Sequence, residues 1–177
     1  MRIGWLVVVL PVMCAAVLAQ APSVPEKGAP SADNRKPESP AVLEREFFAV
    51  IRRGDALKFL SYIPEDGVHV GRYADHTTRS EIEDQLTHRT GLYCKLFDSA
   101  CIQSKIQLDN SASRVCSYRE LLTKSKNVKT TSSETTRNGV RQAILVARLK
   151  NDQCSGVGLV DFIFNYQSDG WKLFSIP

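Results

Sequence analysis

The chain has 177 residues, 43% of them hydrophobic, and its 23 Lys and Arg against 19 Asp and Glu give a formal net charge of +4. So nearly even a balance speaks to solubility and not to a polyanionic partner. The one local basic cluster, Lys124, Lys126 and Lys129, lies among Ser and Thr with no aromatic side chain to stack on a base, so nucleic acid is not expected as a partner.

The N-terminus carries Arg2 and an apolar run from Trp5 to Leu18, and Val17-Leu18-Ala19 present small or apolar side chains where signal peptidase cuts. This is the pattern of an export signal over residues 1–19, with cleavage between Ala19 and Gln20. A bilayer span needs about 20 apolar residues, and this run is shorter and interrupted by Pro11, so no stable membrane anchor is expected after cleavage. Met13 directly before Cys14 argues against lipid attachment, since a lipoprotein signal has a small residue there. The mature chain is therefore expected to be secreted or periplasmic.

Residues 20–41 hold five of the eight prolines (Pro22, Pro25, Pro30, Pro37 and Pro40), with Val24 as the one large aliphatic residue. Such a stretch cannot bury enough to fold and reads as an extended, disordered linker. The remainder, residues 42–177, is long enough for one core and too short for two, so a single domain is expected.

Within it, Ser39-Pro40 offers an N-cap with proline at the first helical position, and Leu43, Phe47 and Ile51 recur at helical spacing until Gly54. Asp55 can cap a second, short helix carrying Leu57, Leu60 and Ile63 and closed by Pro64; Glu65-Asp66-Gly67 then turns into the strand Val68-His69-Val70. Ser80 with Glu83 forms a capping box for a third helix with Ile82 and Leu86 on one face and Gly91 past its end. Between Leu92 and Lys126 the pattern offers only a further box, Ser117 with Glu120, and the apolar pair Leu121-Leu122. From Val128 the chain turns to strands. Asn138-Gly139 is a type I′ hairpin signal ahead of Val140 to Leu149, and Asn151-Asp152 and Ser168-Asp169-Gly170 flank Val157 to Tyr166, before Trp171 to Ile176. Val160, Phe162, Phe164 and Tyr166 alternate onto one face, which should cover the helices. The expected fold is α+β, with N-terminal helices on one side of a curved antiparallel sheet.

This order, a helical first third, a short strand, another helix and a long antiparallel sheet ending on an aromatic strand, resembles the nuclear transport factor two-like (SnoaL-like) superfamily over roughly residues 42–177. Its carriers are Phe47 to Leu60 with Gly54-Asp55 between the helices, Gly67-Val68-His69-Val70, and Asp169-Gly170-Trp171-Lys172-Leu173 as last turn and strand. The segment from Leu92 to Cys116 departs from the family's common size. The resemblance implies a cone-like cavity between helices and sheet, used by some members for isomerase, dehydratase or cyclase chemistry and by others only for binding or dimerisation. Fold alone does not choose among these.

Cys94, Cys101, Cys116 and Cys154 remain after cleavage, an even number in an exported chain, and four cysteines allow three pairings. The spacing lacks CxxC pairs, so bridges are favoured over zinc. We expect Cys94 with Cys101, closing a loop in the irregular segment, and Cys116 with Cys154.

His69 lies in the first strand, and Arg72, Tyr73, Asp75 and His76 come within one short stretch, the acid, base and phenol that a proton-transfer site needs. The bland alternative is a solvated loop beside a packed histidine. Asp161 is the other candidate, a carboxylate inside an apolar strand, where burial would favour a base; its alternative is a solvent-facing aspartate, or one paired with Arg148 across the hairpin. The three histidines match no zinc spacing, Gly156-Val157-Gly158 reads as a bulge, and no Walker sequence, nucleophile elbow or glycosylation sequon occurs. Neither cofactor nor metal is expected.

The first functional reading is an exported non-catalytic module that binds a small apolar ligand or a protein partner, including a second copy as a homodimer through the sheet. Its rival is a cofactor-independent proton-transfer enzyme in which His69, Tyr73 or Asp161 acts on a cyclic or polyketide-like substrate. That rival requires His69 and Asp161 to converge within an apolar pocket. A third reading, a protein inhibitor of an exported enzyme, requires a broad exposed patch instead.

Overall fold

The computed structural model describes residues 39–71, 73, 75–106, 114–149, 154 and 158–177, with backbone alone for 103–106. The export signal, the linker up to residue 38, Arg72, the Asn151-Asp152 turn and the Gly156-Val157 part of the GxG lie outside them.

Helix α1 (Pro40–Arg53) starts on proline behind Ser39, whose carbonyl accepts from the Val42 and Leu43 amides at 3.0 and 3.1 Å. It buries Leu43, Phe47, Phe48, Val50 and Ile51 and ends at Gly54. That glycine has φ 71°, a left-handed stop that side chains resist, and its amide donates to the Ile51 carbonyl at 3.1 Å. The Asp55 carboxylate accepts from the Lys58 amide at 2.9 Å to start α2 (Ala56–Leu60). Not all of the apolar residues named for this helix are buried. Leu57 is 84% exposed and Leu60 half-buried, and Phe59 takes the inward place, while Ile63, past the end of the five-residue helix, is buried.

Strands β1 (Val68–Val70) and β2 (Asp75–Thr77) form an antiparallel hairpin. At Gly67, φ 92°, an added Cβ would collide with the Thr77 carbonyl, so the turn before β1 packs directly on the end of β2. Helix α3 (Arg79–Thr87) buries Ile82 and Leu86 as expected, but its capping box is Thr78 with Glu81, two residues earlier than Ser80 with Glu83. Thr78 still has extended backbone and can reach the Glu81 amide, whereas Ser80 already lies inside the helix. The segment that offered little pattern in sequence folds as α4 (Leu92–Phe97), α5 (Ser99–Ile106) and α6 (Tyr118–Lys124). Ser117 caps α6 through the Glu120 amide at 3.3 Å, while the Glu120 carboxylate turns away to Arg114 and Lys124, leaving the expected box half made.

Strands β3 (Lys129–Arg137), β4 (Val140–Arg148), β5 (Leu159–Gln167) and β6 (Gly170–Ile176) form the expected antiparallel meander. Asn138 and Gly139 both have positive φ, 51° and 78°, as a type I′ turn requires. The full sheet runs β2-β1-β6-β5-β4-β3, and β1 pairs with β6 in parallel, so the sheet is mixed and not wholly antiparallel. A register irregularity opposite Ile163 and Phe164 leaves Phe174 as the extra residue on β6.

The inward face of the sheet carries Ala143, Leu145, Ala147, Val160, Phe162, Phe164, Trp171 and Leu173, all buried against the helices. Tyr166 is only half-buried: its ring meets Trp171 edge-on at 4.9 Å, under the Arg141 guanidinium. Both expected bridges form, Cys94–Cys101 with Cα atoms 5.3 Å apart and Cys116–Cys154 at 5.6 Å. The chain-entropy relation gives about 2 kcal/mol for the shorter loop and about 4 kcal/mol for the longer. The bridges are compatible with an oxidising compartment. No helix among the described residues is long and apolar enough to cross a membrane.

Candidate functional site

The resemblance implied a cavity between the helices and the sheet, and the structure shows what occupies that interior. Between α1, α2 and the sheet the space is filled by rings. Phe47, fully buried, has its centroid 4.9 Å from Phe162, 5.0 Å from Phe164 and 5.4 Å from Tyr62, with Phe48 and Phe59 each at 5.9 Å. The angles are tilted or edge-to-face, the arrangement that aromatic quadrupoles favour. At one end of this core the Pro177 carbonyl accepts from the Tyr118 hydroxyl at 3.1 Å and from the Lys95 ammonium. Burial pushes the Tyr118 phenol up, helped by the Asp161 charge, and burial lowers the Lys95 ammonium.

The sequence-derived candidates lie elsewhere and do not converge. His69 and His76 stand opposite each other in the β1–β2 ladder with rings 5.5 Å apart, and Phe174 packs on His69 at 5.1 Å. Tyr73, in the turn between these strands, is 87% exposed, and Asp75 is exposed beside it. Asp161 projects from the outward face of β5, exposed, opposite Val146. In register His69 faces Ser175 and Ser175 faces Ile163, so β6 stands between the histidine and β5. Strand spacing and rise then put the His69 and Asp161 backbones about 12 Å apart, beyond the reach of a shared proton. Arg148 is likewise not opposite Asp161 but opposite Leu159. Glu81 sits near His76. Its carboxyl is held below its ordinary range by the Thr78 amide first, then the Thr78 hydroxyl, with a smaller contribution from His76.

A polar cleft that sequence reading missed lies between the end of α1, the start of α5 and α6, with a volume of 380 Å³. On its floor Glu120, 9% exposed, accepts from Arg114 Nη2 at 2.7 Å and Lys124 Nζ at 3.0 Å. Burial alone would raise this carboxyl, but the Ser99 hydroxyl, Lys124 and Arg114 outweigh it and hold it below the usual range. Ser99 also binds the α6 cap, its hydroxyl oxygen accepting from the Ser117 amide at 2.8 Å. The contributors come from four separate stretches, so no local spacing announces them; the half-signal was Glu120 three residues after Ser117, a carboxylate at a capping position.

Among the described residues no group of three or more His, Cys, Asp and Glu side chains is placed to hold a metal ion. Comparison with known proteins yields no match: no family model, no curated protein and no solved structure aligns with the chain.

Proposed function

We propose that this chain is an exported, non-catalytic interaction module that binds a protein partner through the outward face of its sheet. The observation that carries the reading is a contrast between the two faces. The inward face carries the ring cluster around Phe47, packed edge-on between the helices and the sheet. The outward face offers Ile144, Val146 and Ile163 in neighbouring strands, with Leu159 at 58% and Phe174 at 39% exposure beside them. Thr131 and Ser133 of β3 lie opposite Val146 and Ile144 and give the patch a hydroxyl border. Apolar centre and polar margin are the anatomy of a docking surface. On this reading Asp161 is a recognition residue, placed to meet a cation of the partner, and the export signal and linker deliver and space the module.

The SnoaL-like layout serves here as a scaffold whose cone is filled. The proton-transfer alternative is disfavoured by the separation of His69 from Asp161 and by the exposure of Tyr73.

The test is sedimentation of the mature chain alone, followed by affinity capture from the exported fraction, each repeated with Ile144→Asp and Leu159→Lys. We expect either a dimer or a captured exported protein, lost in both variants while the circular dichroism spectrum is kept. A homodimer identifies a second copy as the partner, and a captured hydrolase identifies the inhibitor form. Association that survives both substitutions refutes the sheet-face reading.

A further inference from the structure

The cleft above Glu120 carries four cations, Arg52, Arg114, Arg119 and Lys124, against two carboxylates, Asp98 and Glu120. Both carboxylates are engaged. Asp98 accepts from the Ala100 amide at 2.9 Å and the Cys101 amide at 3.4 Å, and Glu120 is shared between Arg114 and Lys124. Arg52 and Arg119 have no carboxylate partner among the described residues. Arg119 helps finish α1, since its Nε donates to the Arg52 carbonyl at 3.2 Å. That bond uses one of the five guanidinium donors and leaves both terminal amino groups. The same guanidinium lies over Gly54, where an added Cβ would come within 3.1 Å of Nη1, so the missing side chain lets it settle against the helix end.

The walls are fixed covalently. Phe97 to Ala100 lie inside the loop closed by Cys94–Cys101, and Ser117 to Lys124 come directly after Cys116, bridged to Cys154. A cleft held in shape before binding loses less freedom when a ligand enters. Its 380 Å³ falls in the range of small-molecule sites, at the lower end. Two unneutralised charges, both on planar guanidinium forks, match a doubly charged tetrahedral oxyanion.

We infer that this cleft binds a small soluble phosphate monoester, with Arg52 and Arg119 on the phosphate group and the Arg114–Glu120–Lys124 cluster fixing the floor. The inference is independent of the sheet-face reading.

The experiment is calorimetric titration of the full chain, disulfides intact, with inorganic phosphate and with glycerol 3-phosphate, above neutral pH where both are dianions. Chloride at matched ionic strength serves as reference, and phosphatidic acid in phosphatidylcholine vesicles forms a separate arm. Saturable one-site binding of the two soluble probes is expected, weakened about tenfold or more by Arg119→Gln and by Arg52→Gln, as loss of one close charge in a partly solvated site implies. Lys58→Gln, on α2 outside the cleft, should leave it unchanged. Cooperative urea unfolding of all three variants, each fully folded under the titration conditions, ties any loss to the site; Arg52, exposed at the helix end, keeps the test open should Arg119→Gln not fold. Overturning results are an affinity for phosphate no greater than for chloride, undiminished binding in both arginine variants, or binding to vesicles without binding to the soluble ester.

Discussion

Replacing Phe47 with Ala removes the ring on which five others converge. The side chain is fully buried, so its transfer from water contributes about 2 kcal/mol. The residual void, roughly 100 Å³ if the neighbours hold their places, adds about 2.4 kcal/mol at ~24 cal/mol per Å³. A loss of about 4 to 5 kcal/mol results, a large part of the ~5–15 kcal/mol that a domain of this size possesses, and about 15 °C in Tm at the usual unfolding entropy per residue. Phe47→Leu, which keeps most of the volume, should cost about a third as much. Urea unfolding followed by circular dichroism gives both values. The variant with Ala should also acquire affinity for benzene or indole, seen as a ligand-dependent rise in its midpoint, while the parent chain should not. A loss below about 1 kcal/mol, or benzene binding by the parent, would refute the view that the interior is closed.

The bridges should separate by loop length: Cys116→Ser with Cys154→Ser is expected to cost about 4 kcal/mol and Cys94→Ser with Cys101→Ser about 2 kcal/mol in urea unfolding, and an inverted order would contradict the pairing. Thr78→Ala should cost about 1 kcal/mol by removing the cap of α3, whereas Ser80→Ala, inside the helix, should leave the urea midpoint near the parent's; the reverse ranking would favour the other box. Glu120 has a folded pKa below its unfolded value, so it contributes stability that is complete above the ordinary carboxylate range and is lost as pH falls through the folded value. Glu120→Gln should therefore flatten the acid limb of a pH–stability curve and lower the plateau above it, and an unchanged curve would remove the carboxylate from the cleft's support. Gly67→Ala should destabilise strongly, because φ 92° and the Thr77 carbonyl both oppose a Cβ, while Gly139→Ala meets strain from φ alone and should cost less.

Residues whose signal is local were legible. Ser39-Pro40, Gly54, Asn138-Gly139 and Asp169-Gly170 each dictate a backbone shape by themselves, and the alternation from Val160 to Phe164 placed the inward face of β5 correctly. Thr78 and Ser80 stand two apart, each with a glutamate three residues on, so composition could not rank the two boxes; the end of β2 decides. Leu57, Leu60 and Ile63 share a three-residue spacing, but α2 ends at Leu60, so that spacing did not define its buried side and Phe59 faces the core instead. Helices α4 and α5 are too short to show a period, and the bridges and their neighbours hold them in place. The parallel β1–β6 contact joins residues far apart in sequence, which no window can see. For the candidate site the same rule holds: the His69–His76 pairing depends on β2, which the sequence reading did not include, and the separation of His69 from Asp161 and the gathering of Arg52, Arg114 and Arg119 are products of tertiary packing.

Strand β6 lies between β1 and β5, so the last strand of the sheet in sequence is also an interior one. A ribosome or translocon releases it after everything it joins. Until Trp171 to Ile176 emerge, the β1–β2 hairpin has no sheet to belong to, and β5 presents an unpaired edge beside Phe162 and Phe164. Closing that gap brings together segments separated by nearly the whole domain, a high-contact-order step that slows folding and prolongs exposure of the edge. The nascent chain is thus most in need of a chaperone just before its synthesis reaches β6, and a nonsense change at Trp171 would yield two fragments of sheet with no strand to join them.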